Sequence, residues 1–163
     1  MQIIKERQVV QDSWSLLSDT DEIPSAGDVI VPLARWNAEA AQLAKRQGKT
    51  GIVLTSDQLP EEIQQLASLP LVAIEFPKFV DGRGYSSARL LRERLGFKGD
   101  IRAVGAVLRD QLSYMERCGF SSYALVDGKD IQGALDAFTE FDFAYQGDAS
   151  DARPLFRRVA RGS

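Results

Sequence analysis

"LPLVAIEFPKFVDGRGYSSARLLRERLGFKGDIRAVG", residues 69–105, decides how this chain folds. Leu71–Phe76 is a run of strand formers that stops at Pro77, and Asp81-Gly82-Arg83-Gly84 turns the chain. From Tyr85 to Leu95 the apolar residues Ala88, Leu91 and Leu95 recur at helical spacing, and Gly96 follows. Ile101–Gly105 is strand-like again. Strand, helix and strand in one short stretch is a βαβ unit, whose right-handed crossover leaves its two strands parallel.

The same alternation extends in both directions. Asp28–Pro32 predicts a strand and Trp36–Gln47 a helix closed by Gly48; Gly51–Thr55 predicts a strand, and Pro60 opens a helix to about Leu69. Beyond the quoted stretch, Val107–Cys118 reads as a helix stopped by Gly119. A strand at Ser122–Val126, a helix at Ile131–Phe138 and a last strand at Phe141–Tyr145 follow. The expectation is one α/β domain over residues 1–163, with a short β-rich arm (1–27), a βα core (28–145) and a C-terminal tail (146–163) that is extended or loosely docked. About five βα units fit a partial TIM-like (β/α) barrel or an open doubly wound sheet, and the spacing does not choose. In both, ligands favour the carboxyl ends of strands, here Phe76–Gly84, Gly105–Ala106 and Asp127–Lys129.

Composition limits the chemistry. The chain has 163 residues, 44% hydrophobic and 26% charged, with a net charge of −3, which speaks against a general nucleic-acid binder. No apolar run suffices to cross a bilayer, and MQIIKERQVV carries charges where a signal peptide is apolar, so a cytoplasmic address is the expectation. There is no His, which removes imidazole catalysis and His-ligated metals. One cysteine, Cys118, allows neither an internal disulfide nor a cysteine-ligated cluster, and we expect no metal site. At the end of a helix before Gly119, Cys118 reads as a small core residue. Trp14, Trp36 and Tyr145 likewise read as packing residues.

Gly82-Arg83-Gly84 has two glycines of a dinucleotide fingerprint, but Ser87 replaces the third, and Ala106 stands where a ribose-binding acid would end the next strand. No Gly-Lys-Ser/Thr run exists. No cofactor is therefore expected, with flavin or NADP at a non-classical site as the alternative. A simpler oxyanion site remains open: Asp81, Gly82, Arg83, Gly84, Tyr85 and Ser86 before a helix, joined by Arg109 after the next strand. The competing reading is that Asp81 or Ser86 caps the helix, the glycines turn the chain and Arg83 faces water. Between Arg83 and Arg117 lie eight basic and four acidic residues, so an acidic chain has a basic centre. Arg89, Arg92, Arg102 and Arg117 are candidates for docking an acidic partner.

FPKFVDGRGYSSARLLRERLGFKGDIRAVGAVLRDQLSYMERCGF, residues 76–120, resembles the hallmark of a bacterial family, domain-of-unknown-function family 934. The similarity continues more weakly through VPLARW (31–36), LPLVAIEFP, Tyr145-Gln146 and the terminal Pro-Leu-Phe-Arg-Arg. Members of that family are associated with sulfite reduction. The resemblance implies a place in assimilatory sulfur metabolism, beside the sirohaem sulfite reductase and the enzyme that reduces adenylylated sulfate. One position departs: the family shows an acid before "VLRDQL", and this chain has Ala106. Sulfite reduction takes six electrons through sirohaem and a cluster, and this chain lacks cluster ligands. The implied role is an accessory that binds the sulfite reductase haemoprotein and a small sulfur oxyanion, with a small oxidoreductase of sulfite reduction as the alternative. No nucleic-acid or membrane partner is expected.

Overall fold

The computed structural model describes residues 2–77, 82–125 and 130–140. Eight strands make one sheet: β1 (Gln2–Lys5), β2 (Gln8–Gln11), β3 (Trp14–Leu16), β4 (Asp28–Pro32), β5 (Thr50–Leu54), β6 (Leu71–Phe76), β7 (Asp100–Gly105) and β8 (Ser122–Tyr123). Their order is β2-β1-β8-β7-β6-β5-β4-β3. Strands β3 to β8 pair in parallel, while β1 is antiparallel to both β8 and β2. A doubly wound sheet reverses its strand order at a switch point. Here β3 to β8 run strictly in chain order, so that alternative drops out.

Two residues show that the sheet curls. Only Asp12 and Ser13 join the end of β2 at one edge to the start of β3 at the other. Eight flat strands would hold their edges ~34 Å apart, whereas three Cα–Cα steps reach at most ~11 Å. The edges must bend towards each other, and the result is a curled half-barrel. The N-terminal segment is β-rich as expected, and it is integral to the sheet. It supplies three strands, at both edges of the sheet, and its hairpin turns through Glu6 and Arg7 at φ +52° and +64° without the glycine that usually marks such turns.

Helices cover one face: α1 (Leu33–Ala44), α2 (Arg83–Arg89, continued by a π-helical turn to Arg94), α3 (Leu112–Cys118), α4 (Ile131–Ala134) and α5 (Ala137–Glu140). The helix expected from Pro60 is instead two 3₁₀ turns, Pro60–Glu62 and Leu66–Ser68, with Gln65 between them at φ +53°. Side chains of α1 take the backbone groups that a helix would have paired. Trp36 Nε1 donates to the Gln64 carbonyl (2.8 Å), Asn37 Nδ2 to the Glu62 carbonyl (3.0 Å), and the Gln64 amide donates to Asn37 Oδ1 (3.1 Å). The single helices expected at 107–118 and 131–138 also break, into a 3₁₀ turn (Arg109–Gln111) plus α3, and into α4 plus α5.

The main core lies between helices and sheet, with Val29, Val31, Ile52, Leu54, Ile74, Ile101 and Ala103 from strands meeting Trp36, Leu91, Leu112, Met115 and Phe138. Alternate strand residues point the other way. Ile30, Leu71, Ala73 and Val104, with Trp14, Val53 and Ala124 against them, form a second cluster inside the curl. At its amino end sits buried Arg102. Its Nη1 donates to Asp12 Oδ1 at 2.8 Å and its Nε to Ser122 Oγ at 3.1 Å, with Asp100 Oδ2 at 3.7 Å. The crossing linker is thereby tied to β7. Asp81, the loop Asp127–Lys129, the last part of the strand expected to Val126, the strand at Phe141–Tyr145 and the tail lie outside the described residues.

Candidate functional site at the carboxyl rim of the sheet

Inside the curl, Asp12 and Arg102 occupy the amino end. A recess of about 400 Å³ opens outside it, between α1 and the starts of β5 and β6, with Trp36, Thr50 and Pro70 in its lining, and further space lies at the other end, where parallel strands finish. Gly105 ends β7 at φ +86°, and a Cβ there would meet the Phe76 carbonyl oxygen at 2.5 Å. Only glycine lets the chain turn this close to β6. The Ala106 amide then donates to that carbonyl at 2.9 Å. The loop above β7 is fixed by its backbone.

Among the described residues, three recesses open along this rim. The first, about 580 Å³, is lined by Leu108, Arg109, Asp110, Leu125, Asp130 and Asp136, among others. The second, about 450 Å³, is the inner mouth of the curl, with Leu16, Pro32, Val53 and Glu75. The third, about 240 Å³, lies between the turn after β5 and α2, with Asp57, Leu59, Arg83, Ser86 and Ser87. Each has an exposed leucine in its lining: Leu108 (45% exposed), Leu16 (52%) and Leu59 (58%). Among the described residues only one other large hydrophobic residue, Leu95, is exposed.

The glycine turn divides into separate roles. Gly82 takes φ −80°, and a Cβ there meets nothing, so this position makes no demand for glycine. Gly84 does: a Cβ would lie 2.7 Å from the buried Phe76 ring. Its place is close packing of α2 on β6. Tyr85 packs in the same seam, its ring tilted against Phe76 at 5.1 Å between centroids and edge-on to Tyr114 at 4.9 Å. Arg83 and Ser86 are exposed and line the third recess. Across it, Thr55 Oγ1 donates to Asp57 Oδ1 at 2.5 Å. That bond, with the backbone amide of Asp57 and the charge of Arg83, holds the Asp57 carboxyl below its ordinary pKa. An incoming oxyanion meets a carboxylate beside the Arg83 guanidinium. Arg109 is exposed too, but lines the first recess, so the two arginines serve different cavities.

Half of the basic centre is turned at least partly inward: Arg83, Arg94, Lys98 and Arg109 are exposed, whereas Arg89, Arg92, Arg102 and Arg117 are partly or wholly buried. Arg92 donates from Nε to the Gly119 carbonyl (2.9 Å) and from Nη1 to those of Phe97 (2.9 Å) and Gly99 (2.7 Å), which pins the end of α2 to two neighbouring loops. Arg102 is 3% exposed and Arg117 7%. Arg89 remains about one-third exposed, 3.7 Å from Glu93. Partial burial works against its charge, but the neighbouring Cys118 sulfur and Tyr114 hydroxyl outweigh this and hold its pKa above the ordinary arginine value. Cys118 itself is buried in the main core. Guanidinium groups suit such internal work, since five donors in a fixed plane satisfy several carbonyls at once.

A family model described as bacterial protein of unknown function (DUF934) matches residues 51–156. The chain belongs to this family. The DUF934 segment begins in β5 and takes in Leu59, Arg83, Leu108 and Arg109, while Asp12 and Leu16 precede it. No curated protein and no solved structure matches this DUF934 chain.

Sequence reasoning missed Leu59, Leu108, Asp57 and Glu75. Leu59-Pro60 and Val107-Leu108 look like the start of apolar helical stripes, and only the strand ends that flank them show that they reach the rim. Among the described residues no helix is long and apolar enough to cross a membrane, and no group of three or more His, Cys, Asp or Glu side chains is placed to hold a metal ion.

Proposed function

We propose that the chain is an accessory protein of assimilatory sulfite reduction, acting in the cytoplasm, which docks the sulfite reductase haemoprotein through the carboxyl rim of its curled sheet. The observation that carries this reading is the grouping of Leu16, Leu59 and Leu108 at the three rim recesses. Scattered surface leucines are ordinary, but apolar side chains collected on one functional edge and ringed by charge resemble the core and rim of a protein interface. The half-barrel serves as a partial (β/α) barrel, with a fixed amino end and a recognition end. Arg83, Ser86 and Ser87 give the third recess donors for a sulfur oxyanion, with Asp57 as its competitor. The resemblance to the sulfite-associated family supplies the pathway; the rim supplies the contact.

The test is capture of the sulfite reductase haemoprotein by the purified chain and by Leu59→Asp and Leu108→Asp. Both substitutions place charge on exposed positions and leave folding intact. Loss of capture with both supports the reading. Capture that is absent in the parent, or equal in the variants, removes it. Deletion of the gene adds the pathway arm: rescue by sulfide but not sulfite places the defect at sulfite reduction, and rescue by sulfite overturns it.

A further inference from the structure

Among the described residues, β3 ends the sheet and pairs with β4 alone. The Leu17 amide donates to the Ile30 carbonyl at 2.9 Å. Ser15 and Leu17 therefore turn their backbone groups to β4, and Leu16 between them turns its N–H and C=O to the open side. Edge strands are commonly blunted by Lys, Pro or an inward-pointing charge. Trp14-Ser15-Leu16 has none of these, and Leu16 is exposed. What blunts β3 is its length: three residues cannot hold an added strand by backbone bonds alone, so the side chains around the edge decide what joins it.

Those side chains are selective. Leu16, Pro32 and Val53 make an apolar floor in the inner mouth of the curl. Asp19, Asp21 and Glu75 stand around it, and no basic residue lines it among the described residues. Arg35, in the first turn of α1, spends its donors on the loop that carries two of these acids. Its Nη1 donates to the Ser18 and Asp21 carbonyls at 2.8 and 2.6 Å, and its Nε to Glu39 Oε2 at 3.4 Å. Asp21 also accepts from the Ser18 amide at 2.9 Å, so this acidic rim is set before anything binds. We propose that the mouth receives an extended segment of a second protein, which adds beside β3 and carries an apolar and a basic residue two positions apart. Residues two apart share one face of a strand. The apolar one rests on Leu16, Pro32 and Val53, while the Lys or Arg faces Asp19 and Glu75. In this mode of recognition the edge's backbone bonds give affinity and alternate side chains give specificity, and the single sign of charge selects a basic partner. A second copy of this chain suits the edge poorly, since pairing β3 with β3 brings two acidic rims together. The inference rests on the carboxyl rim as a recognition surface and names the chemistry of one contact on it.

The full chain and short fluorescent peptides test it. A peptide of two Leu-Thr-Lys-Thr repeats should bind saturably, and its Leu-Thr-Glu-Thr counterpart about tenfold more weakly or worse. Asp19→Asn with Glu75→Gln, both at exposed positions, should weaken the Lys peptide about tenfold. Methylating alternate amide nitrogens of that peptide separates edge pairing from a loose contact between charges. One alternate set should abolish binding and the other leave it intact, because only every second amide of an added strand faces β3. No saturation up to about 1 mM overturns the proposal, as do equal binding of the Glu peptide and equal effects of the two methylated sets. Self-association of the chain that Leu16→Ser abolishes also overturns it, by giving the edge to a second copy. Leu59→Asp and Leu108→Asp should leave peptide binding unchanged, so failure of this contact and failure of haemoprotein capture are read separately.

Discussion

Replacing Arg102 by Met should destabilise the protein by ~3–5 kcal/mol, because it strands a buried carboxylate. The structure says which one. Asp100 keeps the Ser121 and Ser122 hydroxyls as donors, whereas among the described contacts the Asp12 carboxylate has only Arg102 and the Trp14 amide, at 3.1 Å. The three side chains are 4%, 11% and 10% exposed for Arg102, Asp12 and Asp100, so water does little to replace the lost partner. With a urea m-value of ~1–3 kcal/mol per molar, the unfolding midpoint should fall by at least ~1 M. Adding Asp12→Asn removes the stranded charge and keeps an acceptor for Trp14, so the double variant should recover about half the loss. Hydrogen exchange should localise the damage: amides of Ile3–Lys5 and Val9–Gln11 should exchange faster, because the linker that ties the hairpin edge to β3 is no longer anchored. A loss below ~0.5 kcal/mol would be the size of an ordinary surface change. That result, or exchange that rises in β7 while the hairpin is unaffected, refutes the claim that Arg102 holds the curl closed.

The two glycines of the turn should separate cleanly. Gly84→Ala pushes a methyl group into the buried Phe76 ring and should cost ~1–3 kcal/mol in urea unfolding, while Gly82→Ala, in open space at φ −80°, should be neutral or stabilise by ~0.4–1 kcal/mol. Arg92→Lys should lower stability by ~1.5–3 kcal/mol, since an ammonium group cannot reach three carbonyls in two directions. Tyr123 should resist alkaline titration, because burial raises its phenol pKa far above the ordinary value. The unfolded chain then loses that proton first, so stability present below pH ~10 declines above it. Tyr123→Phe should flatten that alkaline decline in thermal melts, at the loss of the hydroxyl's 3.0 Å bond to the Phe120 carbonyl.

The parallel core was legible because each strand from β4 to β7 is a short apolar run punctuated by Gly or Pro, and β6-α2-β7 repeats that pattern most clearly. The helix at Pro60 was misread for a physical reason. Ile63, Leu66 and Leu69 recur every three residues, a spacing that serves 3₁₀ turns as well as a helix, and the decision was made by Trp36 and Asn37, some 25 residues away. The N-terminal segment was legible as β-rich, but its place in the sheet was not. Its strands are only three or four residues long, and they go to opposite edges of the sheet: Ile4 sits opposite Tyr123, far along the chain, and Trp14 opposite Asp28. Local pattern has no access to such pairings, yet they set the curl.

The same limit explains the site. Arginine content between Arg83 and Arg117 looks like a surface property until β7 turns Arg102 inward and the loops around Gly99 and Gly119 close on Arg92. A charge count cannot tell a donor facing solvent from one facing carbonyls; only topology can. In this fold the topology assigns the two ends of the half-barrel opposite work. The short β2–β3 linker brings Asp12 onto Arg102 inside the curl, so the inner face near the starts of β7 and β8 is taken up by Asp12, Arg102 and Trp14. The carboxyl end carries three recesses, each with an exposed leucine, and the acids around the mouth. If Leu59→Asp and Leu108→Asp abolish partner capture while Arg102→Met weakens only stability, that division holds. If Arg102→Met abolishes capture in a chain that is still folded, recognition reaches through the barrel and the two ends are coupled.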